Sequence, residues 1–387
     1  MSSLPKNLEE KLQKRERENA LRTLQQPQNL VDFSSNDYLG FSRIMEIEER
    51  AKEYLQNFGL NQNGPSGSRL LTGNHPLYPE LEALLSTYHK AEAALVFNSG
   101  YDANIGFFSC VPQRGDLVFF DELVHASIRD GIKMGNAKSY KFGHNDLEDL
   151  KKKVKRALHN SSKSTESEIY IVTESVFSMD GDTPNLQQLA DFCADNSYHL
   201  TVDEAHAIGI FGEGKGLIGQ LGLEKHVFAR IITFGKALGV HGAAILGSPR
   251  LVTYLVNFAR SLIYTTGLPP HTIAMVLSAY RYLQDVGSKN QKELLESIEF
   301  FKKQVKEHNF EDRFIPSDSA IHCMVYPGND KVKELSRYLT GKGFDVKPIL
   351  SPTVKQGKER LRFCLHKYNT HDEILEVLTH IKEYVTP

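Results

Sequence analysis

The chain has 387 residues, 40% hydrophobic and 24% charged, with a formal net charge of −2 and a pI near 6.7. This is the composition of a globular protein with room for one large domain and a smaller one, without the basic surplus of a nucleic-acid binder. No apolar run approaches the roughly 20 residues that span a bilayer, so no membrane partner is expected. The N-terminal stretch MSSLPKNLEEKLQKRERENALRTL carries dense charge of both signs, which argues against a signal core or a transit peptide. Residues of about 3–24 are expected as an exposed helix. LVDFSSNDYLGF (30–41) starts as a strand and breaks into a turn at Asn36-Asp37. The stretch GLNQNGPSGSRLLTGNHP (59–76) is too short and mixed for a linker and is expected as an ordered functional loop.

From there strand and helix signals alternate. AALVFNSG (93–100), DLVFFDE (116–122), IYIVTES (169–175), YHLTVDEAH (198–206), ARIITFGKA (229–237) and GAAILG (242–247) are short apolar runs rich in β-branched residues. Helical patterns at 145–157, 185–196 and 249–259, and one from about His125, separate them. This alternation predicts an α/β domain with a mostly parallel sheet and helices on both faces. Beyond Pro269-Pro270 the pattern changes to two long helices (271–285 and 288–308), strands near 320–325, 344–348 and 360–365, and a closing helix at 371–384. The expected organisation is an N-terminal helix and arm (1–40), a large domain (41–270) and a small C-terminal α+β domain (271–387). Cys110, Cys193, Cys323 and Cys364 form no CxxC pair, which argues against a disulfide or zinc framework and suits a reducing cytoplasm.

TVDEAHAIGIFGEGKG (201–216) contains the letters of a helicase box beside a near P-loop. Gly209, Gly214 and Lys215 fit a P-loop, but Gly216 stands where a Ser or Thr must ligate Mg²⁺, and the P-loop of such motors precedes the acidic box. The ATP-driven motor is therefore rejected, and the stretch is expected as a flexible Gly-rich surface loop.

In open α/β sheets ligands sit at the carboxyl ends of the strands. Asp203 and His206, Ser99-Gly100, Glu174-Ser175 and Gly235-Lys236 all fall at such ends. Taken singly, each has a plainer reading: a helix cap, a core histidine, a solvated lysine. Together they suit pyridoxal 5'-phosphate, which needs a lysine for its Schiff base and a carboxylate to keep its pyridinium nitrogen protonated. Its phosphate suits backbone N–H groups at a helix start, which NSGYDAN (98–104) can supply.

The motifs FSSNDYLG (33–40), NSGYDANIG (98–106), DELVHAS (121–127), TESVFSMDGD (173–182), DEAHAIGIFGEGKG (203–216), TFGKALGVHGAA (233–244) and SPTVKQGKERLR (351–362) resemble the α-oxoamine synthase family. The resemblance runs from about residue 20 to the C-terminus. These are fold-type I pyridoxal phosphate enzymes, homodimers that join an amino acid to an acyl thioester with loss of CO₂. FARSLIYTTGLPP (258–270) and PTVKQGKERLR are most similar to the biotin-pathway member that uses L-alanine and a pimeloyl thioester on coenzyme A or a carrier protein. Siblings use glycine or serine. Two departures touch the substrate pocket. Tyr78 stands where a histidine is usual, with His75 three residues earlier, and Lys355 replaces a smaller residue.

The resemblance implies that Lys236 carries the Schiff base and moves the Cα proton. It places Asp203 on the ring nitrogen, His206 on the phenolic oxygen and His125 on the ring face. Ser99, Gly100, Tyr101 and Thr233 would surround the phosphate, with Thr266 reaching that of the partner subunit, and Ser178 would lie near the ring substituents. For substrate it implies Arg362 on the α-carboxylate, Asn36 in the active site, Thr353 in the pocket and Arg22 on the distal carboxylate of the acyl chain. No metal is implied.

Overall fold

The structure is a computed structural model describing residues 4–24, 26, 29–160 and 167–385. In chain order its strands are β1 (Val31–Asp32), β2 (Ala93–Phe97), β3 (Leu117–Asp121), β4 (Lys138–Phe142), β5 (Ile169–Glu174), β6 (His199–Asp203), β7 (Ala229–Thr233), β8 (Ala243–Gly247), β9 (Ile321–Val325), β10 (Phe344–Asp345), β11 (Lys347–Ile349) and β12 (Arg360–Cys364). Two compact units contain them. The larger comprises residues 36–178 and 183–293, the smaller residues 1–35, 179–182 and 294–387. Residues 271–293 thus group with the large unit, and the first 35 residues with the small one. Neither grouping has a local signature, because each depends on contacts far apart in sequence.

The larger unit holds a seven-stranded sheet in the order β2-β8-β7-β6-β5-β3-β4. Only β8 runs against its neighbours, so the sheet is mostly parallel as expected. Strand residues alternate between its faces with period 2. Leu95, Phe97, Val118, Tyr170, Val172, Ile231 and Ile245 enter one core with Ala103, Phe107, Ile128, Ile132 and Leu255 from the helices Gly100–Cys110, Ala126–Met134 and Pro249–Phe258. Leu117, Phe119, Ile169, Ile171, Leu200 and Val202 enter the other with Leu150, Val154, Leu189 and Ala190 from Leu147–Asn160 and Leu186–Asn196. Fully burying each large side chain contributes about 1.5–3 kcal/mol. Because both faces are covered, the strands read as near-continuous apolar runs. The exception is β4, KSYKF, an edge strand whose lysines gave no such run and hid it from the sequence reading.

In the smaller unit β11, β12 and β9 form an antiparallel sheet, and β1 pairs in parallel with β10. Phe363 on β12 packs near Phe33, Phe301 and Phe314 at centroid distances of 6.2, 5.7 and 6.0 Å. The N-terminal helix is shorter than expected, Lys6–Arg17, and the chain then turns through Asn19 at φ 48°. No described helix is long and apolar enough to cross a membrane.

Two expectations are corrected. The two helices placed at 271–285 and 288–308 are one, Pro270–Glu307. Gly287 lies inside it, and an interior glycine costs a helix only about 1 kcal/mol and does not end it. The glycine stretch after Asp203 is a packed turn, not a flexible surface loop: Ile208, Gly209, Ile210, Gly214 and Gly216 are buried. Its glycines supply positive φ, and a Cβ on Gly216 (φ +91°) would stand 2.5 Å from the Glu204 carboxylate. Glu204 is fully buried, accepts Ile218 N–H at 3.0 Å, and pairs with Arg230. Arg230 also donates to the carbonyls of His89 (3.0 Å) and Lys215 (2.6 Å). Removing one partner of a buried pair strands the other charge, at about 3–5 kcal/mol. Arg230→Met is therefore expected to lower the unfolding free energy by that amount in denaturant titrations, and a loss below about 1 kcal/mol would show that Glu204 is satisfied without it.

Candidate active site

The parallel register places the C-terminal ends of β2, β3, β5, β6 and β7 along one edge of the sheet. Asp203 ends β6, paired in register with Glu174 at the end of β5. Asp203 is 6% exposed, and both its oxygens are held: Oδ1 accepts Ala205 N–H at 2.9 Å and Oδ2 accepts Asn104 Nδ2 at 2.8 Å. Asn104 also donates to Ser127 Oγ at 3.0 Å, and Ser127 Oγ lies 2.7 Å from His125 Nδ1. His125 is the N-cap of Ala126–Met134; its Nδ1 edge is turned against Ser127 while the residue as a whole stays accessible.

Glu174, buried beside Asp203, accepts His125 N–H at 2.5 Å. Burial, then the Asp203 charge, push its carboxyl up to about 8, against the opposing pull of the His125 N–H and of Lys236. Packing also lowers the His125 pKa, helped by Lys236 and Arg129 against Asp203. The half-buried Lys236 exerts its charge on both His125 and Glu174.

His206 follows in the turn after β6, with Nδ1 2.7 Å from Tyr38 Oη; Tyr38 Oη also lies 3.1 Å from Asn36 Oδ1. At the end of β2, Ser99 caps Gly100–Cys110, accepting Asp102 N–H at 3.1 Å. Gly100 and Tyr101 retain first-turn N–H groups that lack intrahelical acceptors. Gly100 packs on Thr233, whose Cγ2 would stand 2.6 Å from any added Cβ. Thr233 Oγ1 is buried without a hydrogen-bond partner. An orphan hydroxyl beside a helix start, from which a Cβ is sterically barred, fits a phosphate, and a doubly held carboxylate near a lysine fits a cationic ring. The residues present thus fit the cofactor expected from the sequence.

The remaining positions are placed as follows. Tyr101 is exposed, its hydroxyl 2.9 Å from Asp130; Ser178 is half-buried beyond β5; Thr266 is exposed, and its carbonyl accepts Asn98 Nδ2 at 2.7 Å. Tyr78 and His75 pack at 4.6 Å, and Tyr78 Oη accepts Leu268 N–H at 2.7 Å. Arg22, Thr353 and Arg362 belong to the smaller unit. There Arg22 Nη2 donates to Thr353 Oγ1 at 3.4 Å, and Arg362 is buried on β12 with Nη1 3.0 Å from Cys364 Sγ. Next to it, Arg360 pairs with Asp180.

Tyr38, Asn104, Ser127 and Glu174 complete the site without having been assigned roles. In the sequence Glu174 stands out only as a strand-end residue, and Asn104 leaves a signal as a poor helix former buried inside Gly100–Cys110.

Aminotransferase class I and II is the family that matches, over residues 28–381. A relative from Emericella nidulans named 8-amino-7-oxononanoate synthase is 38% identical over 361 residues, 90% of this chain and 87% of its own. Among solved structures, a serine palmitoyltransferase variant from S. paucimobilis with a bound PLP–myriocin aldimine superposes with a TM-score of 0.86 at 26% identity, covering 98% of this chain and 96% of that one. The 8-amino-7-oxononanoate synthase of Francisella tularensis superposes with a TM-score of 0.76 at 28% identity, covering 92% and 98%.

The buried Glu174 sets a pH dependence. Its folded pKa of about 8 lies above the ordinary 4.5, so between these values the folded state binds the extra proton. Its contribution is fully present below pH 4.5 and is lost as pH rises through 8, at up to about 1.4 kcal/mol per pH unit. Unfolding of the ligand-free protein across pH 5–8 should show this decline, and Glu174→Gln should flatten it.

Proposed function

Because this chain belongs to the aminotransferase class I and II family, and within it to the PLP-dependent α-oxoamine synthases, we propose that it condenses L-alanine with a pimeloyl thioester, releasing CO₂ and the thiol, to give 8-amino-7-oxononanoate for biotin synthesis. The observation that supports the reaction type is the hydrogen-bonded link of His125 to Asp203 through Ser127 and Asn104, with Lys236 exerting its charge on His125. The choice of substrates is supported by the 38% identity to the Emericella nidulans synthase.

When bound, the cofactor supplies a protonated ring that accepts the electron pair left at the amino acid's Cα. Asp203, already oriented by Asn104 and Ala205, holds the ring-nitrogen proton. His206, held at Nδ1 by Tyr38, would meet the phenolic oxygen. Thr233 Oγ1, Ser99 and the first N–H groups of Gly100–Cys110 would hold the phosphate beside Tyr101, with His125 on the ring face and Ser178 near the ring substituents as the family resemblance implies. Lys236 Nζ is the covalent anchor and the base that takes the Cα proton and returns it at the end. Arg362 binds the α-carboxylate by the bidentate fork its guanidinium allows, with Asn36 beside the amino acid. Arg22 and Thr353 read the far end of the acyl chain. The protein works as a cytoplasmic homodimer, with Thr266 serving the partner's phosphate.

A sibling synthase using serine or glycine is the second reading, favoured by the TM-score of 0.86 to the serine palmitoyltransferase. Release of CO₂ by the purified protein with each small amino acid and a panel of acyl-CoAs decides between them.

The purified holoenzyme is expected to be yellow, and Lys236→Ala to abolish its visible absorption band; a wild type that stays colourless after addition of PLP contradicts the cofactor assignment. Asp203→Asn is nearly isosteric and should fold, but the ring nitrogen loses its charge partner. Two pKa units lost there correspond to about a hundredfold in turnover, so near-normal kcat in that variant removes Asp203 from the role.

Steady-state kinetics with pimeloyl-CoA and an uncharged acyl-CoA of equal length test the acyl end. A carboxylate left unpaired on burial is costly, so Arg22→Ala should raise the KM for pimeloyl-CoA about tenfold and leave the KM values for the uncharged thioester and for alanine unchanged. Equal use of both thioesters by the wild type would end the pimeloyl assignment.

A further inference from the structure

Asn104, Ser127 and His125 form a chain of hydrogen bonds that runs in one direction. The Asn104 side chain is 2% exposed, on the inward face of Gly100–Cys110. Its amide nitrogen is identified by its neighbour: the Asp203 carboxylate, 2.8 Å away, only accepts, so the contacting atom donates. The same nitrogen lies 3.0 Å from Ser127 Oγ and gives its second proton there. The serine oxygen thus has an acceptor position filled, and its own proton is directed to the other close atom, His125 Nδ1 at 2.7 Å. Ser127 N–H points to the same ring nitrogen at 3.3 Å, and a backbone N–H cannot accept. Two donors therefore converge on Nδ1.

We propose that Asn104 and Ser127 are positioning residues that hold His125 as the neutral imidazole protonated on Nε2, and tie that state to the carboxylate of Asp203. The surrounding charges divide: Lys236 and Arg129 oppose a charged ring and Asp203 and Asp130 favour it, with packing on the side of the neutral form. Glu174 holds the backbone of His125 and leaves the ring to the relay.

The arrangement also explains an otherwise costly choice. Asn104 leaves its buried Oδ1 without a partner, and asparagine is a poor helix former. A hydrophobic residue would pack there at lower cost, but it could not donate in two directions. The consequence for the reaction rests on the proposed stacking of His125. A neutral ring lies over a cationic cofactor without repulsion, and its Nε2–H remains a donor toward the substrate.

The test is long-range ¹H–¹⁵N NMR of the holoenzyme labelled with ¹⁵N-histidine, with the His125 signals identified by their loss in His125→Asn. In the wild type, His125 is expected to show a protonated Nε2, an unprotonated Nδ1, and no conversion to the cation between pH 6 and 8. Ser127→Ala leaves the Asn104–Asp203 bond in place and removes only the hydroxyl donor. It should raise the His125 pKa by about one unit, a tenfold easier protonation, and Ser127→Thr should restore the wild-type titration. Asn104→Ala should raise it likewise and, having freed Asp203 Oδ2, also weaken PLP binding about tenfold, so a poorly folded Ser127→Ala does not end the test. A wild-type His125 carrying its proton on Nδ1, a cationic ring at pH 7, or an unchanged titration in both alanine variants overturns the relay. The same spectra of the cofactor-free protein separate the two readings: a protein that never binds PLP defeats the proposed function, while the relay stands or falls on the nitrogen signals alone.

Discussion

The site depends on keeping one carboxylate charged where little water reaches it. Asp203 sits at the end of the central strand of a sheet covered on both faces. An unpaired charge there would be prohibitively costly, so its oxygens must be met by donors. Asn104 and the Ala205 N–H meet that need, and Asn104 continues to Ser127 and His125. The Glu174 carboxyl, its register partner, answers the same constraint from the other side. Burial, and then repulsion by the adjacent Asp203 charge, lead Glu174 to hold its proton up to about pH 8. Asparagine, serine, histidine and glutamate from three chain segments are thereby arranged around a single charge.

The next residue shows the opposite use of the same chemistry. Glu204 points into the protein and meets Arg230, and the carbonyls of His89 and Lys215 complete the guanidinium's hydrogen bonds. This pair organises the glycine turn, because Gly216 lies against the carboxylate and Ile218 N–H bonds to it. Two acidic residues in succession thus serve different ends, one presented to the ligand edge and one anchoring the turn behind it. The turn's glycines are kept by backbone conformation and close packing, and phosphate chemistry has no part in them.

Aromatic hydroxyls take a comparable supporting role. Tyr38 sets the ring nitrogen of His206 and contacts Asn36, so an apolar side chain with a polar tip spans core and site. Tyr78, which departs from the histidine usual in the family, accepts Leu268 N–H and so anchors the segment that carries Thr266. Its hydroxyl is engaged in holding backbone, a sufficient reason for its presence independent of any substrate.

The mostly parallel sheet of the larger unit was legible in the sequence, because burial on both faces writes apolar runs. Lys236, Asp203 and His206 stand out as chemistry-bearing residues just past such runs, and His125 through the family resemblance. The edge strand β4 was not legible, since its exposed lysines break the apolar pattern, and the single helix Pro270–Glu307 was expected as two. What only the tertiary structure decided is the partnership of residues distant in the chain: Asn104 with Asp203, Ser127 with Asn104, Tyr38 with His206, Glu204 with Arg230. A sequence records which residue occupies each position. Whether a buried polar group is satisfied, and so whether it stays charged, neutral or protonated on one nitrogen, depends on atoms that folding alone brings within 3 Å.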